Sequence, residues 1–345
     1  MSVTIKDVAR LANVAPSTVS RVISNSSRIS EKTKEKVRQA MEQLGYHPNF
    51  NARSLANQST QAIGLIMPSS NDIVFQNPFF PTVLRGLSKG AHENRYALYM
   101  TTGNTDDAIY DDVVNMVQGG RVDGVVLLYS KVEDKVQSYL LDQGFPFVVI
   151  GKPYCNENEI TYVDNDNIKA AYDVTKHLID LGHKHIGYIG GNLKFVVTLE
   201  RLLGYKQALE EAKLPIINHY RVHEEFLREG GQEAVKELFS LKKHPTALVV
   251  ADDLMSLGVL NTLDEIGISV PEDMSIISFN NILLSELSRP PITSVDINIF
   301  DLGNIAARNL IQKIQNPSEP VKKTIIPHQI IWRKSCLHPK TEKTI

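Results

Sequence analysis

Cysteine is scarce: the 345-residue chain holds two, Cys155 and Cys336. They stand far apart, with no C-x-x-C and no His-rich partner, which excludes a disulfide framework and argues against a structural zinc site. No stretch approaches the ~18 uninterrupted apolar residues of a membrane span. The opening residues MSVTIKDVARLANVAPSTVS carry charge early and lack the apolar run of a secretory signal. No G-x-G-x-x-G or G-x-x-x-x-G-K-[ST] loop is present, and none of the ten histidines falls into a metal-ligand spacing. These absences predict a cytoplasmic, non-enzymatic protein without cofactor, metal or membrane association. Glycine at 20 and proline at 16 are near average, which removes collagen-like and low-complexity readings. What remains is a globular composition, 42% hydrophobic and 22% charged, too long for one compact core and therefore built of two or three units.

The net charge of −2 hides an asymmetry. Residues 1–60 carry nine Lys/Arg (Lys6, Arg10, Arg21, Arg28, Lys32, Lys34, Lys36, Arg38, Arg53) against Asp7, Glu31, Glu35 and Glu42. That surplus of five leaves −7 for the remainder. A basic head on an acidic body suggests a polyanion-binding module, although a solvated basic face has the same composition.

Thr4 followed by Asp7 is a capping pattern, and Ile5, Val8, Ala9 and Ala12 recur at helical spacing, so a first helix is predicted over 5–12. Pro16 suits the first position of a second helix over 16–24, burying Val19, Val22 and Ile23 and exposing Ser17, Thr18, Ser20 and Arg21. Ser30 caps a third helix over 31–44, ended by Gly45. Two short helices on a tight turn, braced by a third, form a helix-turn-helix. Arg at such a position can pair two-pronged with guanine, and the hydroxyls of Thr4, Thr18, Ser20, Ser30 and Thr33 suit phosphate oxygens. Residues 51–57 are helix-competent but have little to bury. Leu55 there is equally compatible with loose packing and with a wedge in a minor-groove step.

The head sequence TIKDVARLANVAPSTVSRVISN, followed by a Ser-capped helix ending LGYHPNFNARSLA, resembles that of the lac/galactose repressor family of bacterial transcription regulators. The resemblance implies that Ser17 and Arg21 read bases, that Pro16 occupies another base-reading position, and that Leu55 and Ala52 sit in the minor groove at the operator centre. Asn49 joins the expected phosphate contacts. Ala15 stands where the family usually has Ser, which removes a cap of about 1 kcal/mol.

From Gln61 onward, apolar runs at 62–67, 97–101, 124–129, 147–150, 185–190, 247–251 and 275–279 alternate with helical stretches at 82–94, 109–119, 134–143, 168–181, 199–212, 231–241 and 254–266. Repeated βα units predict parallel sheets covered on both faces. An extended stretch at 160–163 suggests two lobes, with 293–297 and a tail strand over 324–332 returning the chain between them. The resemblance implies an α plus α/β architecture: a helix-turn-helix head (1–47), a hinge helix (48–60) and a two-lobed effector domain like the periplasmic sugar-binding proteins (61–340). The N-lobe is expected at 61–160 and 292–322, the C-lobe at 161–291 and 323–340.

Ligands in such sheets bind beyond the carboxyl ends of strands. That rule selects Asn77-Pro78-Phe79-Phe80, Tyr129, Asp164-Asn165, Asp252-Asp253 and Asn280-Asn281, with Arg201 opening a helix. The Asp252-Asp253 pair admits a glycosidase-like reading, but fits better as a helix cap plus one ligand contact. Arg201, Asp252 and Asn280 form a hydrogen-bonding set for hydroxyls. By resemblance they match the family's effector-gripping positions, and Phe226 an effector-facing aromatic; the family's usual Asn-then-Asp order is reversed here. Phe79, Phe80, Tyr129, Phe195 and Phe226 suit either sugar stacking or core. Beyond the head the chain is similar to maltose-operon repressors of Gram-positive bacteria. The expectation is a homodimeric repressor on a near-palindromic operator, controlled by maltose or a maltooligosaccharide. Control by a corepressor or a phosphocarrier protein is the alternative.

Overall fold

The computed structural model describes residues 3–23, 26–46, 59–68 and 74–340. The chain forms two compact units, Met1–Thr60 and Gln61–Ile345.

In the first unit, helices α1 (Ile5–Leu11), α2 (Pro16–Ile23) and α3 (Glu31–Leu44) close around Val8, Ala9, Ala12, Val19, Val22, Val37 and Ala40. The helix starts follow from local chemistry. The backbone N–H and hydroxyl of Thr4 both donate to Asp7 Oδ2, at 3.0 and 2.7 Å, and hold the Asp7 carboxyl below its ordinary range. Ser30 Oγ accepts from the Thr33 N–H at 3.3 Å. Gly45, at φ 61°, closes α3 in the left-handed conformation that a side chain would disfavour. The short α2 puts Val19 and Val22 in the core, which leaves Pro16, Ser17, Ser20 and Arg21 exposed on its outer side.

The second unit has two six-stranded sheets. Its strands are β1 (Ala62–Ile66), β2 (Ala97–Met100), β3 (Gly124–Leu127), β4 (Phe147–Ile150), β5 (Thr161–Asn165), β6 (Ile186–Gly190), β7 (Arg221–His223), β8 (Ala247–Val250), β9 (Ser275–Phe279), β10 (Thr293–Asp296), β11 (Lys323–Ile326) and β12 (Gln329–Ile331). Its helices are α4 (Phe79–Glu93), α5 (Asp106–Gln118), α6 (Lys135–Asp142), α7 (Asn167–Asp180), α8 (Val196–Glu211), α9 (Arg228–Phe239), α10 (Asp253–Glu265), α11 (Leu283–Leu287) and α12 (Ile299–Gln315). The first sheet runs β2-β1-β3-β4-β5-β11, all parallel; the second runs β7-β6-β8-β9-β10-β12, with only β12 antiparallel. Most of the central strands, such as Ala62–Ile66 and Ala247–Val250, are buried along their whole length, as expected of parallel strands with helices on both faces. Helices α4 and α12 approach so closely that a Cβ on Gly303 would stand 2.1 Å from the Val83 carbonyl oxygen.

Two expectations are corrected. The tail strand over 324–332 is two strands in different sheets. Pro327 lies between them and has no N–H to continue a ladder, so β11 pairs with β5 and β12 with β10. The lobe limits shift with it: 161–165 and 323–326 belong to the first sheet, and 293–296 to the second. Strand membership is decided by the partner, Val148 opposite Thr161 and Ser278 opposite Ser294, which an apolar run does not disclose. The chain therefore crosses between lobes after Asn165, after Ile297 and after Ile326. The Asn165 side chain ties these crossings: its Nδ2 donates to Ile297 O at 3.1 Å and Ile326 O at 2.9 Å.

Candidate functional site

In each sheet the strand order reverses once, between β1 and β3 and between β6 and β8. A crevice opens at such switch points, and the two crevices face one another across a cavity with about 160 Å³ open to the centres of water molecules. All eight effector-site candidates line it: Phe79, Tyr129, Asp164, Asn165, Arg201, Phe226, Asp252 and Asn280. Residues 77–280 in sequence are thus brought to one place by tertiary structure.

Asp252 is the N-cap of α10. Its Oδ1 accepts from the N–H groups of Leu254 (2.7 Å) and Met255 (3.3 Å). Its Oδ2 accepts from Asn280 Nδ2 at 2.7 Å and from Asn77 Nδ2 at 3.0 Å. Burial raises its pKa, while the Asn77 amide, the Leu254 and Met255 N–H groups and the Arg201 charge pull it back. Asp253 takes a different role from its neighbour. It is wholly buried and accepts from the Ser278 and Ser294 hydroxyls and the Ile282 N–H, tying α10 to β9 and β10. Burial lifts it to about 7. It does not line the cavity, so the adjacent Asp252-Asp253 pair does not face it together.

Arg201, 4% exposed, donates Nε to Asn167 Oδ1 at 3.1 Å and Nη1 to Ala251 O at 2.6 Å. Its guanidinium lies 4.3 Å from the centre of the Phe279 ring. Nη2 has no hydrogen bond among the described residues. Asp164 accepts from the N–H groups of Lys152 and Asn165, both at 2.7 Å, and from Asn167 Nδ2 at 3.0 Å; burial still lifts its carboxyl to about 6. Asn165 has both amide protons engaged at the crossings, leaving only Oδ1 for any other partner.

The remaining wall is aromatic. Phe79 and Phe80 meet edge to face at 5.1 Å, and Phe195 and Phe226 stand 6.4 Å apart. Lys131 Nζ lies 4.9 Å from the Tyr129 ring and 5.5 Å from the Phe195 ring while pairing with Asp106 at 2.7 Å. Gly191 leaves room for Phe226: a Cβ there would fall 2.1 Å from the ring. Asn167, which bonds both Arg201 and Asp164, is a structural member that sequence reasoning passed over. Asn77 stood among the residues following β1, but nothing local marks its bond to Asp252, 175 residues away. Backbone bonds also join the lobes at the rim, Val132 N–H to Lys194 O at 2.8 Å and Val196 N–H to Ser130 O at 3.0 Å.

In the head, Pro16, Ser17, Ser20 and Arg21 share the outer side of α2, with Thr18 half-buried beside them. Thr4 and Ser30 are exposed at the starts of α1 and α3, and Thr33 is half-buried one turn on. Ser30 and Thr33 hydroxyls lie 2.9 Å apart. Asn49, Ala52, Leu55 and residues 48–58 of the expected hinge lie outside the described residues. Among the described residues no helix is long and apolar enough to cross a membrane, and no group of three or more His, Cys, Asp or Glu side chains is placed to hold a metal ion.

Comparison with known proteins agrees with both halves. Residues 4–49 match the family described as bacterial regulatory proteins, lacI family, and residues 175–336 match a periplasmic binding protein-like domain. The chain is 41% identical to the HTH-type transcriptional regulator MalR of Streptococcus pneumoniae over 342 residues, covering 96% of this chain and 99% of the relative. Among solved structures, a putative transcriptional regulator LacI from Bacillus cereus subsp. cytotoxis is 50% identical at a TM-score of 0.79, over 80% of this chain and 98% of that one. The transcriptional regulator CelR in complex with cellobiose is 31% identical at a TM-score of 0.76, over 96% of this chain and 99% of that one.

Proposed function

The chain belongs to the lacI family of bacterial DNA-binding transcriptional repressors, and we propose that a small sugar bound between its lobes, maltose or a short maltooligosaccharide foremost, releases it from its operator. The observation that carries this reading is a cavity lined at once by a guanidinium, carboxylates, amides and several aromatic rings. Hydroxyls take planar donors and acceptors, and the apolar faces of sugar rings stack on aromatic ones. A relative of the same architecture holds cellobiose, also a glucose disaccharide, and MalR of Streptococcus pneumoniae is similar over nearly the whole chain.

In this reading the protein is a homodimer whose heads cover the halves of a near-palindrome. Pro16, Ser17 and Arg21 face bases, with Thr4, Thr18, Ser20, Ser30, Thr33 and Asn49 on phosphates. Ala52 and Leu55 enter the minor groove at the centre. Phe79, Tyr129, Asp164, Asn165, Arg201, Phe226, Asp252 and Asn280 hold the sugar. A change in the relation of the lobes is then transmitted through the hinge; a tenfold loss of operator affinity needs about 1.4 kcal/mol of coupling.

The test is a fluorescence-anisotropy titration of a palindromic operator, selected from random duplexes, with and without a panel of sugars at fixed salt. Release by maltose is the expected result. Operator binding that no sugar weakens refutes the sugar-inducer reading and turns the search to corepressors and to a phosphocarrier protein.

A further inference from the structure

All four acceptor positions of the Asp252 carboxylate are filled by protein donors. A ligand hydroxyl reaches this carboxylate only by displacing one of them. Two are the N–H groups of Leu254 and Met255, which cannot leave without uncapping α10. The third, Asn280, stands at the end of β9 in the same lobe. The fourth, Asn77, enters from the opposite lobe, just before α4. It is 5% exposed, and its Nδ2 bridges two acceptors of the second lobe, Asp252 Oδ2 at 3.0 Å and Phe226 O at 3.1 Å. Its Oδ1 accepts from the Phe79 N–H at 2.9 Å, which fixes the amide's orientation. Of the four donors, Asn77 alone departs when the lobes move apart.

We propose that Asn77 is a cross-lobe latch that competes with the ligand for Asp252, so that a hydroxyl bound at this carboxylate breaks a bond between the lobes. The device rests on the sugar-inducer reading for its sign: if the ligand releases operator, the latched form is the one that binds it. A ligand shifts such an equilibrium only through its differential affinity for the two forms. Exchange of one donor at one carboxylate is a concrete source of that difference. Loss of the latch then imitates the ligand.

Asn77→Asp separates the latch from local packing. It keeps an acceptor for the Phe79 N–H, removes the donating amide and sets a carboxylate against that of Asp252. Asn77→Ala is the second variant. Operator affinity is measured by anisotropy without sugar, maltose affinity by titration calorimetry, and thermal midpoint by calorimetry. The expected result is operator binding about tenfold weaker in Asn77→Asp, with maltose binding tightened by a similar factor, because the two affinities are linked. Asn77→Ala shifts both in the same directions by less. Operator affinity unchanged in both variants overturns the latch. Maltose affinity that falls in parallel with operator affinity also overturns it, since a merely structural or ligand-contacting role produces that pattern. Wild-type protein indifferent to maltose refutes the proposed inducer instead. The operator shift in Asn77→Asp, read without sugar, then decides the latch by itself.

Discussion

Arg201→Lys tests how the site is organised. The guanidinium is buried, makes two directed bonds to Asn167 Oδ1 and Ala251 O, and stacks at 4.3 Å on Phe279. A lysine ammonium keeps the charge but has one nitrogen, so it cannot reproduce both bonds or the planar stack. Loss of one charge-assisted bond costs about 1.5–3 kcal/mol, and a desolvated cation–π contact is worth about 2 kcal/mol. Partial recovery through the remaining ammonium bond leaves a cost of about 3 kcal/mol, which for the unit Gln61–Ile345 lowers Tm by about 5 °C at an unfolding entropy of ~2.1 cal/mol/K per residue. Differential scanning calorimetry reads this directly, and the head, a separate unit, keeps its own transition. Nη2 has no protein acceptor among the described residues, and in the proposed function it is the nitrogen that meets a sugar hydroxyl. Its loss weakens maltose binding by about ten- to a hundredfold. A Tm of the two-lobed unit within about 1 °C of wild type refutes the argument that these contacts hold the site together. A lowered Tm with unchanged maltose affinity refutes the ligand role alone.

Arg21→Ala tests the base-reading role proposed for this exposed residue of α2, with an expected loss of about 1–3 kcal/mol confined to one operator position. Competition with single-base operator variants checks this, and an equal loss on every sequence reassigns Arg21 to phosphate. Gly303→Ala places a Cβ 2.1 Å from the Val83 carbonyl oxygen and forces α4 from α12, an overpacking cost of about 1–3 kcal/mol; an unchanged urea midpoint contradicts it. Glu200 is half-buried, and burial together with the nearby Asp164 carboxylate raises it to about 7. Its folded pKa lies above the unfolded value, so it binds more protons in the folded state. The cost it imposes is absent below about pH 4.5 and grows until about pH 7. Glu200→Gln should therefore stabilise more at about pH 8 than at about pH 5. Comparing the variant with wild type cancels His177, His183 and His223, whose lowered pKa values act oppositely. A difference independent of pH contradicts the assignment.

Local chemistry was enough for the head. Thr4–Asp7, Pro16, Ser30 and Gly45 mark the helix ends, and Val8, Val19, Val22 and Val37 repeat at helical spacing. A single helix then sets the outer positions 16, 17, 20 and 21. The same holds for the βα alternation of the body and for the rule that ligand groups follow strand ends, which gathered Phe79, Tyr129, Asp164, Asn165, Asp252 and Asn280, now found around one cavity; Arg201 was added as the opening of a helix, and Phe226 by the family resemblance. Asp253 shows where that rule stops. It is adjacent to Asp252, yet it points its bonds into β9 and β10 as a buried core group.

What the sequence by itself determined is everything carried by near neighbours: caps, helical and strand periods, breakers, and the charge division between head and body. Burial periodicity is a local property, so it survives without knowledge of partners. Tertiary structure alone decided which sheet β5, β10 and β11 joined, that Pro327 divides the tail between two lobes, and that Asn165 ties three crossings. It also decided that Asn77 meets Asp252. These depend on pairings between residues distant in the chain, selected by the packing of whole layers, and no residue carries a local signal of its remote partner.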